Sequence, residues 1–388
     1  MGQKSNSLII VESPSKAKTL KRFLGDEYAI EASVGHVRDL PKSDLGVDVD
    51  NGFSATYVPS KDKTKVISQL KSIIKKADVL YLATDPDREG EAIAWHLQQA
   101  LSLDSDTPRI VFHEITKGAI TEAISNPRTI NTDLVDAQQA RRIIDRLVGF
   151  EISPVLWRKV SGARSAGRVQ SVALKLITER EHEIESFDPE EFWTLTINFQ
   201  DDNKKLISAS IFQLNGNKVE KFSFRNKVEI DKAIEKIKDK KFDISDISSK
   251  VINRNPSGPF TTSTLQQVAS SRLGFGASRT MQIAQRLYQG IEIDGETIGL
   301  ITYMRTDGTN LSADAITDFR DYIKNEYGKE YLPENPLNYS GKKAKNAQEA
   351  HEAIRPTDID RSPDSMKKYL STDQQKLYNL IWGRALSS

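Results

Sequence analysis

The chain of 388 residues carries a formal charge of +1, with 38% hydrophobic and 28% charged residues and no cysteine. This is the composition of a folded chain rather than a disordered one, and it excludes disulfides, thiolate nucleophiles and Cys-ligated zinc. No apolar run reaches the roughly 18 residues that span a bilayer, and Leu8–Val11 is too short for a secretory core, so a cytoplasmic chain without a membrane partner is expected.

At roughly 150 residues per domain the length predicts two or three domains. Residues 7 to about 125 alternate between strand and helix. Leu8–Val11 reads as a short buried strand. Ser13-Pro14 then supplies an N-cap and a proline at N1 for a helix through Lys16, Leu20 and Phe23, which stops at Gly25. Val79–Ala83 is a second strand, Gly90–Leu97 opens a helix, and Ile110–Phe112 is a third strand. The pattern predicts a parallel sheet covered by helices.

Residues 133 to about 185 read as helical. Ala140, Ile143, Ile144, Leu147 and Val148 share one face up to a stop at Gly149, and Ser153-Pro154 starts the next helix. Ser165 caps another, whose Val169, Val172, Ala173, Leu176 and Ile177 form an apolar stripe. Phe192–Phe199 switches to strand-like alternation, and β segments continue to about Ile252, with Lys218–Lys250 as an exposed charged face. Asn255–Pro259 is a linker, and helices resume at Thr264. A strand ends near Tyr303, and a polar turn leads to a helix capped by Ser312. Thr372–Leu386 is a helical pattern without C-terminal punctuation, so the chain is expected to stop inside a larger protein.

The near-neutral charge conceals local imbalance. Between Gln138 and Arg168 there are seven basic and two acidic residues, and between Lys250 and Ile291 five basic and no acidic ones. Basic segments rich in hydrogen-bonding side chains point to a polyanion groove, against the alternative that these arginines only solvate helix faces.

Directly after the second strand comes Asp85-Pro86-Asp87-Arg88-Glu89-Gly90-Glu91. Ligands of open α/β sheets bind beyond the carboxyl ends of the strands. Glu12 ends the neighbouring strand, and oxygen ligands with no His or Cys suit Mg²⁺. The competing reading is an acidic first turn that complements a helix dipole, which accounts for Glu89 and Glu91 but not Glu12. Tyr303 is either a half-buried core residue or a nucleophile helped by Arg305, because a phenol of pKa near 10 needs a cation to stabilise its phenolate. Ser165–Gln170 at a helix N-terminus suits phosphate. No Walker A sequence is present and no strand precedes Gly274-Phe275-Gly276, so no nucleotide cofactor is expected. Spacing gives His351 only a structural role.

Val11–Lys18, Ala83–Glu91, Gln138–Arg142, Ser165–Gln170, the Tyr303 segment and Gln348–Pro356 together, and in this order, resemble the type IA DNA topoisomerase family. The resemblance covers nearly the whole chain and is closer to the bacterial topoisomerase I class than to topoisomerase III. It implies a multidomain protein, α/β plus mainly α: a Toprim Rossmann-like α/β metal-binding domain over 1–128, a helical DNA-binding segment over 129–190, the first part of a β-rich arch over 191–255, and a helical active-site tyrosine domain with a truncated return to the arch over 256–388. It implies that Tyr303 attacks a phosphodiester to give a 5′-phosphotyrosine, that Arg305 stabilises the charge, and that Glu12, with Lys16 beside it, assists the leaving oxygen.

The resemblance further implies that Glu12, Asp85, Asp87 and Glu89 form the Mg²⁺ site. His36, Arg141, Arg142, Asp145, Phe150, Trp157, Ser165, Ala166, Gly167, Arg168, Val169, Gln170 and Arg305 match positions that contact single-stranded DNA, and Asp307 and His351 match active-site support. The implied activity is ATP-independent relaxation of negatively supercoiled duplex DNA by a monomer at the bacterial nucleoid. Gly308 stands where many bacterial members have Ser. The family's arch is built from two separated segments, and this chain is expected to reach only the first, so that it cleaves single strands while relaxing poorly, binds them without cleaving, or decatenates like topoisomerase III.

Overall fold

The computed structural model describes residues 7–339 and 352–388, which form two compact units, Met1–Ala166 with Asn255–Ser388 and Gly167–Arg254. The first unit begins with β1 (Ser7–Val11), α1 (Pro14–Leu24), β2 (Tyr28–Ala32), α2 (Thr64–Ile74), β3 (Val79–Leu82), α3 (Arg88–Leu101), α4 (Lys117–Ser125) and α5 (Thr132–Lys159). The sheet has the order β2-β1-β3 and is parallel throughout, with Ile9 opposite Ile30 on one side and Tyr81 on the other. Successive strand residues point to opposite faces. Leu8 and Ile10 therefore pack against Leu70, Ile93 and Leu97, while Ile9 and Val11 face a core shared with Ile110, Leu287, Ile301 and Tyr303. Burial on both faces explains the unbroken apolar run.

The Ser13 hydroxyl accepts from Lys16 N, Pro14 occupies the first turn, and Gly25 ends α1 at φ 63°, as the sequence predicts. Strand β2 has no counterpart among the predicted elements. The expected strand at Ile110–Phe112 shrinks to a bridge from Arg109 to Leu82 and Arg128. Helix α5 also differs from expectation, being continuous over 28 residues with Pro154 inside it. A proline removes one i→i−4 bond, and here the turns on both sides are long enough to carry the helix through.

The second unit holds α6 (Arg168–Glu185), the antiparallel pair β4 (Thr196–Gln200) and β5 (Leu206–Ser210), and α7 (Lys227–Ile237). Its small core is Phe224, Ile230 and Ala233, with Trp193, Leu195 and Leu214 against it. Gly167, not Ser165, is the N-cap of α6 and makes no side-chain cap bond. The apolar stripe of α6 is exposed, Leu176 at 62%. No strand forms between α7 and the end of this unit: Ile244, Ile247 and Val251 are exposed, because an isolated extended segment with no neighbour to pair with gains nothing from its pattern.

The chain returns to the first unit through α8 (Thr262–Leu273), α9 (Ala277–Gln289), a hairpin of β6 (Ile291–Ile293) and β7 (Glu296–Ile298), α10 (Ala313–Glu326), the single turn α11 (Pro363–Met366) and α12 (Thr372–Ser387). Ser312 caps α10 by accepting from Ala315 N. Leu265, Leu287, Tyr378 and Ile381 join these helices to the core under the parallel sheet. No helix among the described residues is long and apolar enough to cross a membrane.

Candidate active site

The carboxyl ends of β1 and β3 lie side by side, and each delivers a carboxylate. Lys16, fully buried in the first turns of α1, bridges them: its Nζ lies 3.1 Å from Asp85 Oδ1 and 3.3 Å from Glu12 Oε1. Lys16 Nζ donates to Glu12 Oε2 at 3.4 Å, and Glu12 Oε1, within ion-pair distance of the same ammonium, accepts no hydrogen bond among the described residues. Burial pushes the Glu12 carboxyl up to about 7, with Lys16 opposing and Asp85 adding to the rise. The loop after β3 folds tightly back on itself. A Cβ on Gly90 would meet Asp85 O at 2.1 Å, so only glycine permits this approach.

Asp87 serves two roles in geometry. Its Oδ1 accepts from Gly90 N at 2.8 Å, capping α3, and its Oδ2 accepts from the Tyr303 hydroxyl at 2.6 Å. Arg305 Nη1 stands 3.6 Å from the same Oδ2. Tyr303 does not sit on a strand: the expected strand reduces to a bridge between Ile301 and Pro356. Instead Tyr303 N donates to His113 O at 2.8 Å, and Thr302 N to Arg355 O at 3.0 Å. The ring is 2% exposed and stands edge-on to Tyr288, with centroids 5.2 Å apart. Burial, then Asp85 and Asp87, drive the Tyr303 phenol far above its usual pKa, and Arg305 opposes them only in part. The expected stabilisation of a phenolate by Arg305 is therefore outweighed, and the resting side chain is a protonated phenol.

Glu91 and Arg355 brace the site from behind, and sequence reasoning missed both networks. Glu91, fully buried, accepts from Arg109 Nε at 2.8 Å, Arg128 Nη2 at 3.0 Å and Asn131 N at 2.7 Å. Arg109, equally buried, donates onward to Thr84 O and Asp85 O, fixing the acidic loop. Arg355 joins Glu352 and Glu114, and Glu352 in turn accepts from Ser312 N. A buried charge without obvious purpose, such as Arg109 in an apolar run, was the available signal.

Glu12, Asp85, Asp87, Glu89, Arg141 and Arg305 line one cleft of about 570 Å³, to which Asp307 also contributes. Glu89 turns from the other carboxylates towards His36, 3.6 Å away, and Gln138, and these two contacts keep its carboxyl below the ordinary range. Arg142 pairs with Asp39 at 2.7 Å, and Arg141 approaches Asp145 at 3.9 Å. Phe150 lies under Arg146, and Trp157 donates to Arg164 O, with Phe150 partly and Trp157 largely exposed on α5. Ala166 N donates to Ser153 Oγ. Ser165 and Ala166 belong to the first unit, and Gly167, Arg168, Val169 and Gln170 to the second. His351 lies outside the described residues.

Comparison with known proteins adds the family. A family model described as DNA topoisomerase matches residues 129–388, and one described as Toprim domain matches residues 7–115. The chain belongs to the DNA topoisomerase family. Its relatives include DNA topoisomerase 1 of Rickettsia felis, 52% identical over 98% of this chain and 50% of that protein, and that of Rickettsia typhi, 51% identical over 98% and 49%. Full-length topoisomerase I from Thermotoga maritima superposes with a TM-score of 0.84 at 43% identity, covering 98% of this chain and 60% of that one. The chain thus spans about half the length of the curated relatives it matches.

Toprim domains are in general divalent-metal-binding domains, and the donor chemistry here fits one. The donors are all carboxylate oxygens, and the buried Glu12 Oε1 accepts no hydrogen bond among the described residues. Among the described residues no three His, Asp or Glu side chains converge closely enough to enclose an ion. The carboxylates are each paired at rest: Lys16 holds Asp85, Tyr303 holds Asp87, and Glu89 contacts His36 and Gln138. A small hard cation that keeps most of its water needs only one or two carboxylates, so the topoisomerase site fits a loosely held ion rather than a cage.

Proposed function

We propose that this chain carries the strand-cleaving site of a type IA topoisomerase, which relaxes negatively supercoiled DNA without ATP through a transient 5′-phosphotyrosine. The observation that carries the reading is the convergence on Asp87 Oδ2 of the Tyr303 hydroxyl at 2.6 Å and the Arg305 guanidinium at 3.6 Å, beside the Glu12–Lys16–Asp85 group. In the cleavage step the Tyr303 proton passes to Asp87 Oδ2 and the phenolic oxygen bonds to phosphorus. The P–O3′ bond breaks, and the 3′ oxygen takes its proton from Glu12, whose raised pKa leaves it partly protonated near neutrality. Arg305 and Lys16 offset the charge that builds on the phosphate. Rejoining reverses each transfer.

Asp85, Asp87 and Glu89 would hold Mg²⁺, which supplies charge neutralisation at the phosphate for rejoining and strand passage. The DNA strand would run past His36, Arg141, Arg142 and Asp145, and on past Phe150, Trp157, Ser165 and Ala166, where backbone contacts and stacking give salt-sensitive binding. Such an enzyme works as a monomer in the cytoplasm, on nucleoid DNA.

A second reading, retention of single strands without cleavage, is favoured by one observation: Tyr303 is buried and its phenol is already occupied by Asp87. Covalent trapping on a single-stranded oligonucleotide separates the two. Cleavage would leave a 3′-end label on the protein and release a shorter 5′-labelled strand with a 3′-hydroxyl, and Tyr303→Phe would abolish both. Salt-sensitive retention with no adduct would establish the binding-only reading.

A further inference from the structure

The segment that carries Tyr303 and Arg305 runs without helix or strand from Thr302 to the start of α10, so its backbone groups must find partners outside any regular ladder. Three of them, on both sides of Arg305, find the same residue. The Thr262 hydroxyl donates to Met304 O at 2.7 Å and accepts from Thr306 N at 2.8 Å, and Thr262 N donates to Thr306 O at 2.9 Å. Met304 and Thr306 are buried, and Thr262 lines the acidic cleft.

Helix α8 does not call for this hydroxyl. Thr262 is its first residue, but its start is capped by the neighbouring Thr261, whose side chain accepts from Thr264 N while the Thr264 hydroxyl accepts from Thr261 N. Valine would match the shape of Thr262 and lack only the oxygen. Arg305, in contrast, depends on an anchored backbone. Its side chain is 57% exposed, so packing does not fix it, and its guanidinium stands 3.6 Å from Asp87 Oδ2 at the end of a flexible stem. Such a stem passes any shift of its Cα on to the charge, whereas a reacting group must be held within about 0.5 Å of its productive place.

We propose that Thr262 is a positioning residue, which clamps the backbone on either side of Arg305 and so aims the guanidinium at the phosphate under attack. One hydroxyl serves both sides, as donor to the carbonyl before Arg305 and as acceptor from the amide after it. The first turn of α8 is the rigid element that the clamp borrows. This assignment rests on the reading of Arg305 given under the proposed function.

Thr262→Val removes the hydroxyl and Thr262→Ser keeps it, and two measurements on the whole chain follow. In hydrogen exchange without DNA, the peptide spanning residues 303–308 exchanges faster in Thr262→Val than in the wild type, β1 is unchanged, and Thr262→Ser matches the wild type. With a saturating single-stranded oligonucleotide, the covalent adduct of Thr262→Val forms roughly 10- to 100-fold more slowly, the scale of a displacement of up to about 1 Å. Thr262→Ser keeps the wild-type rate, and the half-saturating oligonucleotide concentration is the same in all three, as for an interaction made in the transition state. Equal exchange in Thr262→Val and the wild type, or an equal adduct rate, overturns the proposal. So does a Thr262→Ser rate as low as that of Thr262→Val, or a loss that appears only as weaker binding. Should Thr262→Val fail to fold, Thr262→Ala takes its place, and failure of both overturns the proposal, since the side chain then supports the fold itself. If the wild-type chain forms no adduct, the proposed function fails, and the exchange comparison still decides whether Thr262 holds the backbone of Arg305.

Discussion

The Tyr303 hydroxyl donates to Asp87 Oδ2 at 2.6 Å across 216 positions of sequence, tying the loop after β3 to the segment before α10. The same carboxylate caps α3 through its other oxygen. One side chain thus ends a helix and holds the reactive phenol, so the geometry of the site is set by the start of α3.

That double role gives the first prediction. Asp87→Asn keeps a competent N-cap but loses the charged acceptor and the base. Adduct formation is expected to fall at least 100-fold, the scale of a positioned acid–base group. Thermal stability should change by less than about 1 kcal/mol. Trapping assays beside a thermal melt check both; a large loss of stability with proportionate loss of adduct would mean that Asp87 acts only as a cap.

Glu12 predicts a pH dependence. Its folded pKa of about 7 exceeds the model-peptide value of 4.5, so the folded state holds a proton that the unfolded state has lost between those values. Its contribution is fully favourable below about pH 4.5 and disappears as pH rises through 7. Glu12→Gln removes this dependence. Urea unfolding at pH 5 and pH 8 should show the variant gaining relative to wild type at the higher pH, while adduct formation is lost. A gap between the two proteins that does not widen with pH would refute the assignment.

The brace behind the site is expected to be structural. Arg109→Met strands Glu91 as a buried carboxylate with only Arg128 and Asn131 N beside it. Removing one partner of a buried pair costs about 3–5 kcal/mol, visible as a lower midpoint in chemical denaturation. Arg109→Met with Glu91→Leu should recover much of the loss, and an equally unstable double variant would contradict the pairing argument.

Arg141 lines the acidic cleft and the adjoining one that contains Arg142. If it contacts a phosphate, Arg141→Ala should weaken oligonucleotide binding similarly for all sequences and reduce the logarithmic salt slope by about one. An unchanged slope would place Arg141 outside the strand's path.

Much of the first unit was legible in the sequence because its signals are local. The Leu8–Val11 run, the Ser13-Pro14 cap and the Gly25 stop each depend on residues within one turn, and all appear as read. Asp87 and Ser312 cap their helices by the same short-range chemistry. Signals failed where a competing interaction lay elsewhere in the chain. Gly149 and Pro154 look like helix breaks, yet α5 runs through both. The alternation from Phe192 forms the pair β4 and β5, but its continuation between α7 and Ile252 forms no strand, because pairing needs a neighbouring strand that no local pattern can supply.

For the candidate site the sequence by itself determined which residue types were present: Glu12 and Asp85 at strand ends, Tyr303 with Arg305 two residues on, and a family resemblance that the comparisons bear out. Only the tertiary structure decided which of them meet. It joined Tyr303 to Asp87 rather than leaving it to Arg305, placed Lys16 between Glu12 and Asp85, and turned Glu89 towards His36. Each of these pairings is settled by distance and burial between segments tens to hundreds of residues apart, and charge in a buried site is paired by proximity in space, to which spacing along the chain gives no access.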